Sequence, residues 1–470
     1  MQLDAEAAFF FSMIVTATQA QNDEKSVLII GGGIAGLAAA SKLGEAGFSV
    51  VVLEARNRIG GRILTQHDSS SDAAIEFGAE FIHGIAPEIW EPLQQYGAEV
   101  TEVEGESWCV TDKKLSPCKF FAQVDAMLDK MNDSQPDESF LTFLQRRFPN
   151  PNRDPELEEA RQHAIGYVTG FNAADPGLVG THWLAQGIRA EEKIEGQRAF
   201  RSKNGYEDLL NAFRKRIARR GVKVRTNTVV ERVGWRRGRA EVMGHNGDDR
   251  VVLTASQVLV TLPLALLKAA PGQLGVVEFV PHLPKEKVES LEKLEMGQVV
   301  RVVLRFRHRF WETISPPNDQ SKSLSNMSFL FTQDESFPTW WTTMPRKPPI
   351  ITGWAPFRSA ERLAALGRSS IVKKSLRTLA NVLELNLKGL ESWLEEACFH
   401  DWQNDPFSRG AYSYGKVDAD GAQQSLSAPV ENTLFFAGEA TDTSGHNGTV
   451  HGAIASGYRA AEEMIYARST

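Results

Sequence analysis

An α/β fold in two domains assembled from interleaved segments is what this 470-residue sequence predicts. Three observations carry that expectation. The first is a strand, glycine turn, helix and second strand over Val27–Leu53, closed by an acid. The second is a long helix-patterned stretch from about Pro87 to Ala199, set between strand-rich parts. The third is an apolar strand at Leu434–Ala437 followed by a closing helix at Gly452–Ile465.

The elements follow in chain order. The apolar run Val27-Leu28-Ile29-Ile30 enters the turn Gly31-Gly32-Gly33-Ile34-Ala35-Gly36, and helix-forming Leu37-Ala38-Ala39-Ala40 comes next. Gly31 permits a tight turn, Gly33 lets backbone approach a pyrophosphate, and Gly36 lets helix and strand pack closely. A pyrophosphate would then sit on the helix N-terminus beside Ile34 and Ala35, where free N–H groups and the helix dipole favour an anion. Phe48–Leu53 is the second strand and ends at Glu54-Ala55, with Glu54 placed to accept from ribose hydroxyls. The plain alternative is a glycine loop that binds nothing; the strand–helix–strand context and the distance to the acid weigh against it. Gly205–Arg220 reads as an amphipathic helix with Leu209, Leu210, Phe213 and Ile217 on one face. Its Lys215, Arg216, Arg219 and Arg220 read as a solvated face. Val222–Val233, Ala240–Met243, Val251–Leu262 and Val299–Arg307 read as strands, and Ser369–Leu385 as a helix.

Composition bounds the function. Hydrophobic residues make up 42% and charged residues 24%, the balance of an ordinary globular protein with a sizeable core. The net charge of −7 argues against nucleic acid as a partner. Cys109, Cys118 and Cys398 are too scattered for a metal set or a disulfide framework, and no metal is expected. Residues 1–24 read as an extension or a signal segment. Ala7–Val15 is apolar and small residues follow at Thr18 and Ala20, yet Asp4 and Glu6 precede it with no basic residue. A frayed extension and a cytoplasmic location are the expectation, with export the alternative. No run is long enough to span a bilayer.

Three ordered motif blocks carry a resemblance over about Lys25–Ile465. They are the first glycine turn with Arg56-Asn57-Arg58-Ile59-Gly60-Gly61-Arg62, then Phe77-Gly78-Ala79-Glu80-Phe81-Ile82-His83-Gly84. The third runs from Trp402 through Phe407 to Gly410-Ala411-Tyr412, then Ala437-Gly438-Glu439-Ala440-Thr441, then Gly448-Thr449-Val450-His451-Gly452-Ala453. The chain resembles the flavin-containing amine oxidases, a group that includes monoamine, polyamine and L-amino-acid oxidases and lysine-specific histone demethylases. The resemblance implies a Rossmann-like FAD domain of the glutathione-reductase type, made from residues 25–83, 202–282 and 400–470. An α+β substrate domain would come from residues 84–201 and 283–399, with the active site between the two.

The same resemblance implies the site. Arg56, Gly61 and Arg62 would lie along the FAD diphosphate, with arginine balancing its charge. Gly78, Ala79, Glu80, Phe81, Val230, Trp402, Phe407, Gly438 and Glu439 would line the cofactor, the two aromatics also being readable as plain core. Thr449 and Val450 would begin the last helix and turn its N-terminus toward the flavin pyrimidine edge. Ala411 stands where monoamine oxidases attach flavin through cysteine, so FAD is expected to be noncovalent. Tyr412 would wall the amine path, with Thr449 where monoamine oxidases have a second tyrosine. That pairing is closest to polyamine oxidases. His83 would hold or relay a proton, or be a structural histidine before Gly84. Arg301 stands where the family usually carries a lysine that holds a water near the flavin, or belongs to a polar strand face with Arg305 and Arg307. The implied reaction is oxidation of an amine carbon–nitrogen bond, hydrolysis of the imine to an aldehyde, and reduction of O2 to H2O2. Alternatives are L-amino-acid oxidation, against which Phe81 replaces an arginine carried by many such enzymes, and a dehydrogenase using another acceptor. Glu80, Glu191, Glu192 and Glu195 are candidates to meet a polyamine. No C-terminal membrane anchor is expected, and the sequence leaves the oligomeric state open.

Overall fold

The structure is a computed structural model that describes residues 26–469 except 69, 72, 112, 119, 150–153 and 317–318. The reading of residues 1–24 lies outside the described residues.

A five-stranded parallel sheet forms the first layer. Its order is Lys223–Arg225, Ser49–Leu53, Ser26–Ile30, Gln257–Val260 and Leu434–Phe436. The strands are short, branched and nearly all buried, as a sheet covered on both faces requires. Two helices, Ile34–Glu45 and Val450–Ser469, cover one face side by side. A side chain at Gly457 would sit 2.3 Å from the Ala35 carbonyl, so the pair is packed backbone to backbone. The other face meets a four-stranded sheet, Asp249–Ala255, Arg239–Asn246, Thr228–Arg236 and Glu278–Val280. Val230, Val233 and Val242 share one buried cluster there with Leu28, Ile30 and Val258.

A seven-stranded sheet builds the other half. Its order is Leu394–Phe399, Val299–Phe306, Ile350–Pro356, Thr339–Thr342, Met327–Thr332, Glu106–Thr111 and Lys114–Pro117. The helix Arg368–Val382 packs Ile371, Leu376 and Leu379 against Val302, Leu304 and Phe306 of this sheet.

Several expectations are corrected. The stretch 87–199 does hold five helices among the described residues, Pro87–Tyr96, Phe120–Leu128, Phe140–Arg147, Pro155–Phe171 and Thr181–Glu192. It also holds the strands Val100–Glu102, Glu106–Thr111 and Lys114–Pro117. Glu106–Thr111 pairs with Met327–Thr332, a partner far along the chain that leaves no local periodicity. The hairpin of Glu106–Thr111 with Lys114–Pro117 brings the Cα atoms of Cys109 and Cys118 to 5.0 Å and joins them in a disulfide, where the scattered spacing predicts no disulfide framework. Val222–Val233 and Val251–Leu262 are each two strands in different sheets. The first breaks at Asn227, whose φ of 54° suits asparagine better than a branched residue.

Candidate active site

The C-terminal ends of the parallel strands open into one cavity of about 1710 Å³ that continues to the seven-stranded sheet. Single-ligand pockets run to roughly 1,000 Å³, so this space suits a large cofactor together with a substrate. Of the cofactor-binding and catalytic residues expected from the sequence, all but Gly36 line it.

The nucleotide end is built from backbone. Gly36 is absent from the wall because it faces inward: a Cβ there would lie 2.2 Å from the Gly31 carbonyl. At Gly33 and Gly438 a Cβ would meet nothing within 4 Å, so those two glycines leave open space on the cavity wall. Gly438 also has φ of 131°, a conformation side chains resist. This is a cradle that side chains would fill, and it fits a dinucleotide. Glu54 ends its strand buried, its carboxylate accepting from the Gly32 and Arg56 amides, each at 2.8 Å. Each oxygen keeps a second lone pair for a ribose hydroxyl.

The two arginines of the second glycine motif are anchored. Arg56 donates to Asp405 at 2.5 Å and to Ser408 at 2.9 Å, and lies over the Phe407 ring. Arg62 donates to the Ala411 carbonyl at 2.7 Å and to Glu439 at 2.9 Å, leaving part of its guanidinium toward the cavity. Glu439 is a hub: its other oxygen accepts from the Ser413 hydroxyl at 2.6 Å and the Gly448 amide at 3.1 Å. It ties the Tyr412 segment to the loop before the last helix. Trp402 is fixed by an indole N–H donated to the Phe77 carbonyl at 2.6 Å. Alanine at 411 offers no thiol to bond a flavin.

Thr449 acts as the N-cap of Val450–Ser469. Its hydroxyl accepts from the Gly452 amide at 3.0 Å and donates to the His446 carbonyl at 2.7 Å. The hydroxyl is therefore spent on the helix, while the residue still lines the cavity. Next to it, Tyr412 packs against Gly448, where a Cβ would come within 3.3 Å of its ring. The Tyr412 hydroxyl donates to the Phe171 carbonyl at 2.7 Å, and burial pushes its pKa up.

A buried charge cluster forms another part of the wall. Arg301 donates to the Gly78 carbonyl at 2.8 Å and to the Glu80 carboxylate. Glu80 also accepts from Arg201 at 2.8 Å and from the Trp341 indole at 3.0 Å. Burial alone would raise the Glu80 pKa; Arg301 and Arg201 overcome it and hold the carboxyl below its usual range. Glu80 lines the cavity, but three of its acceptor positions and its charge are already engaged by the protein. The Arg301 Nε is buried without a partner among the described residues. Arg305, on the same strand, points elsewhere, to Asp68, Glu395 and Glu396.

His83 lies on the short strand Ile82–His83, and burial lowers its pKa against the opposing pull of Glu191. Glu191 sits with His446 and His451, and the burial that would raise its pKa is outweighed by the two imidazoles. Aromatic rings complete this end: Phe81 and Trp354 flank Trp341 at 5.6 and 5.5 Å between ring centres, and Tyr167 stacks on Phe171 at 4.7 Å. The sequence reading missed Arg201, Trp341, Trp354 and the two histidines. His446 and His451 stand close together in a glycine-rich block, but nothing local tied them to Glu191. Glu195 is turned to Arg198 and does not line the cavity.

Comparison with known proteins agrees with this geometry. The family described as flavin containing amine oxidoreductase matches residues 34–465. Polyamine oxidase 2 of Arabidopsis thaliana is 26% identical over 464 residues, spanning 93% of this chain and 87% of its own. Lysine-specific histone demethylase 1 homolog 2 of the same plant is 25% identical over 478 residues, covering 95% of this chain and 59% of its own. In structure, the fold superposes on putrescine oxidase bound to putrescine with a TM-score of 0.77 at 19% identity, covering 94% of this chain and 99% of that one. Cyclohexylamine oxidase from Brevibacterium oxydans gives a TM-score of 0.75 at 19% identity, covering 95% and 100%. No helix among the described residues is long and apolar enough to cross a membrane. With its glycine cradle, anchored arginines and this match across most of its length, the chain belongs to the flavin-containing amine oxidoreductase family and is an FAD-dependent oxidoreductase acting on amines.

Proposed function

We propose that the chain oxidises a multiply charged, polyamine-like amine and passes the electrons to O2, giving H2O2. The observation that carries this reading is the charge of the amine end. Glu102, Glu104, Asp125, Asp129, Glu158, Glu159, Glu191 and Glu192 line the cavity. The arginines of that end are already paired, Arg198 to Glu102 and Glu195 and Arg301 to Glu80. Among the described residues no lysine lines the cavity. Such a wall draws in cations and offers no guanidinium to a substrate carboxylate, which argues against amino-acid oxidation. The relatives named polyamine oxidase and the neighbour bound to putrescine support the same class.

Bound in the cradle, FAD supplies the two-electron acceptor for the carbon–nitrogen bond. The chain's residues do the rest. Tyr412 and the Phe81–Trp341–Trp354 group shape the path and exclude water from the reacting carbon. His83, kept neutral by burial and making no hydrogen bond among the described residues, takes a proton from the incoming ammonium, which must be neutral to react. Arg301 keeps a fixed positive charge that its Glu80 partner holds in place. Its Nε is buried without a partner among the described residues, at the position where the family usually carries lysine.

The test is reduction of the purified yellow protein without air by polyamines, monoamines and L-amino acids, then admission of air. Bleaching by a polyamine with rapid recovery and peroxide is the expected result. Bleaching by amino acids alone would favour the amino-acid reading. Bleaching without recovery would favour a dehydrogenase.

A further inference from the structure

Three donor atoms converge beside the cavity in a way that substrate binding does not require. His446 Nδ1 and His451 Nε2 are 3.1 Å apart. Glu191 Oε1 lies 3.5 Å from the first and 3.6 Å from the second. A point equidistant from the three lies about 2.0 Å from each, which is the bond length zinc makes to imidazole and carboxylate. The edges are close to, and two of them slightly longer than, the roughly 3.4 Å between neighbouring tetrahedral ligands, so an ion about 2.1 Å from each donor would sit just off their plane with room for a fourth ligand. The two rings meet edge to face, 73° between planes, so their in-plane lone pairs can address one point. Stacked rings could not do this.

The site is built rather than incidental. Three glycines let its carriers touch. A Cβ at Gly452 would lie 2.0 Å from the His446 carbonyl. One at Gly196 would lie 2.0 Å from Glu191 Oε2, and one at Gly445 would press on the Thr181–Glu192 helix at 2.9 Å from the Gln186 carbonyl. His446 is further held by its own amide, donated to Asp442 at 2.9 Å. Such outer contacts orient metal ligands. The alternative use of these groups, an imidazole–imidazole hydrogen bond with a carboxylate beside it, needs only one such approach and does not require all three donors to lie at a metal-bond distance of about 2.0 Å from one point.

We propose that Glu191, His446 and His451 form a binding site for one divalent transition-metal ion of the zinc class. Glu191 and His451 line the cavity, so the open fourth position faces it and takes water or a neutral amine nitrogen. A bound dication also places positive charge on the carboxylate that otherwise meets substrate, so occupancy opposes entry of a cationic amine.

Equilibrium dialysis of untagged, FAD-loaded protein against buffered zinc, followed by metal and flavin analysis, tests the site. The expected result is about one zinc per flavin. Affinity should fall by at least roughly 10- to 100-fold in His446→Asn and in Glu191→Gln that retain full flavin. X-ray absorption at the zinc edge of the unaltered protein reads the ligands without any substitution, with two imidazoles and oxygen at about 2.0–2.1 Å expected. Binding well below one equivalent, affinity unchanged in both variants, or a ligand shell without imidazole would overturn the proposal.

Discussion

The two ends of the cavity are built from different material. The nucleotide end is backbone: glycines without side chains, the amides that grip Glu54, and a helix N-terminus. The amine end is side chain: Glu80, Arg201, Arg301 and Trp341 come from four separate segments and hold one another. Backbone recognition depends on local conformation, so a short motif specifies it. Side-chain recognition depends on which distant strands the sheet brings together. The first end can be shared among many enzymes, whereas the second decides what this one takes.

The sharpest way to break the comparison is at the amine end. Glu80→Gln leaves two buried guanidinium groups without their carboxylate. Removing one partner of a buried ion pair costs about 3–5 kcal/mol. Thermal or urea unfolding should show that loss, and a change under 1 kcal/mol would mean that Glu80 is not the centre of the cluster.

Next comes a paired test of the nucleotide end. Gly36→Val forces a side chain onto the Gly31 carbonyl and should cost about 3 kcal/mol by overpacking, lowering the melting temperature. Gly33→Val meets open space in a conformation, φ −70° and ψ 174°, that any residue adopts. It should fold normally by circular dichroism yet elute from gel filtration without flavin. Full flavin retention in Gly33→Val would show that the cradle is not where the cofactor lies.

How much of this was legible follows the same division. Gly31, Gly33, Gly36, Glu54 and Arg62 announce the nucleotide end because their spacing is their function. Arg301 could be flagged from its strand, but not its partner: Glu80 is 221 residues away and was read as a cofactor or polyamine contact. Thr449 is legible as the start of the last helix, but not that its hydroxyl is engaged in capping that helix. The Glu106–Thr111 strand stayed hidden because its pairing is nonlocal. Buried charge and nonlocal pairing leave no periodicity to read.

A smaller effect sharpens the picture where the two ends meet. Glu76 is buried, accepts from the Tyr206 amide at 2.6 Å and the Thr65 hydroxyl at 2.9 Å, and burial pushes its pKa up from 4.5 to about 8. Below pH 4.5 both folded and unfolded chains carry the proton and Glu76 costs nothing. As pH rises toward 8 the unfolded chain sheds it and the folded chain keeps it, so stability falls across that window. Glu76→Gln should flatten this slope and stabilise the protein at neutral pH by about 1–3 kcal/mol. A pH profile of unfolding unchanged by the substitution would show that Glu76 is ionised in place.

The smallest effects belong to the cavity's outer acids. Asp125 and Asp129 are exposed, so neutralising either by amide substitution should weaken capture of a cationic amine by about 0.2–1 kcal/mol, as a rise in KM. The rise should vanish at high salt, where such charges are screened. A fall in kcat with KM unchanged would place these residues in the chemistry instead.

The central claim is that the amine end selects for charge. The most direct measurement compares anaerobic flavin reduction by a linear triamine and by an alkyl monoamine of equal length, at low and high ionic strength. The account expects the triamine to saturate at roughly tenfold or lower concentration, an advantage of about 1.4 kcal/mol, and expects that advantage to shrink with salt. Equal saturation by the two amines, or an advantage indifferent to salt, would contradict it.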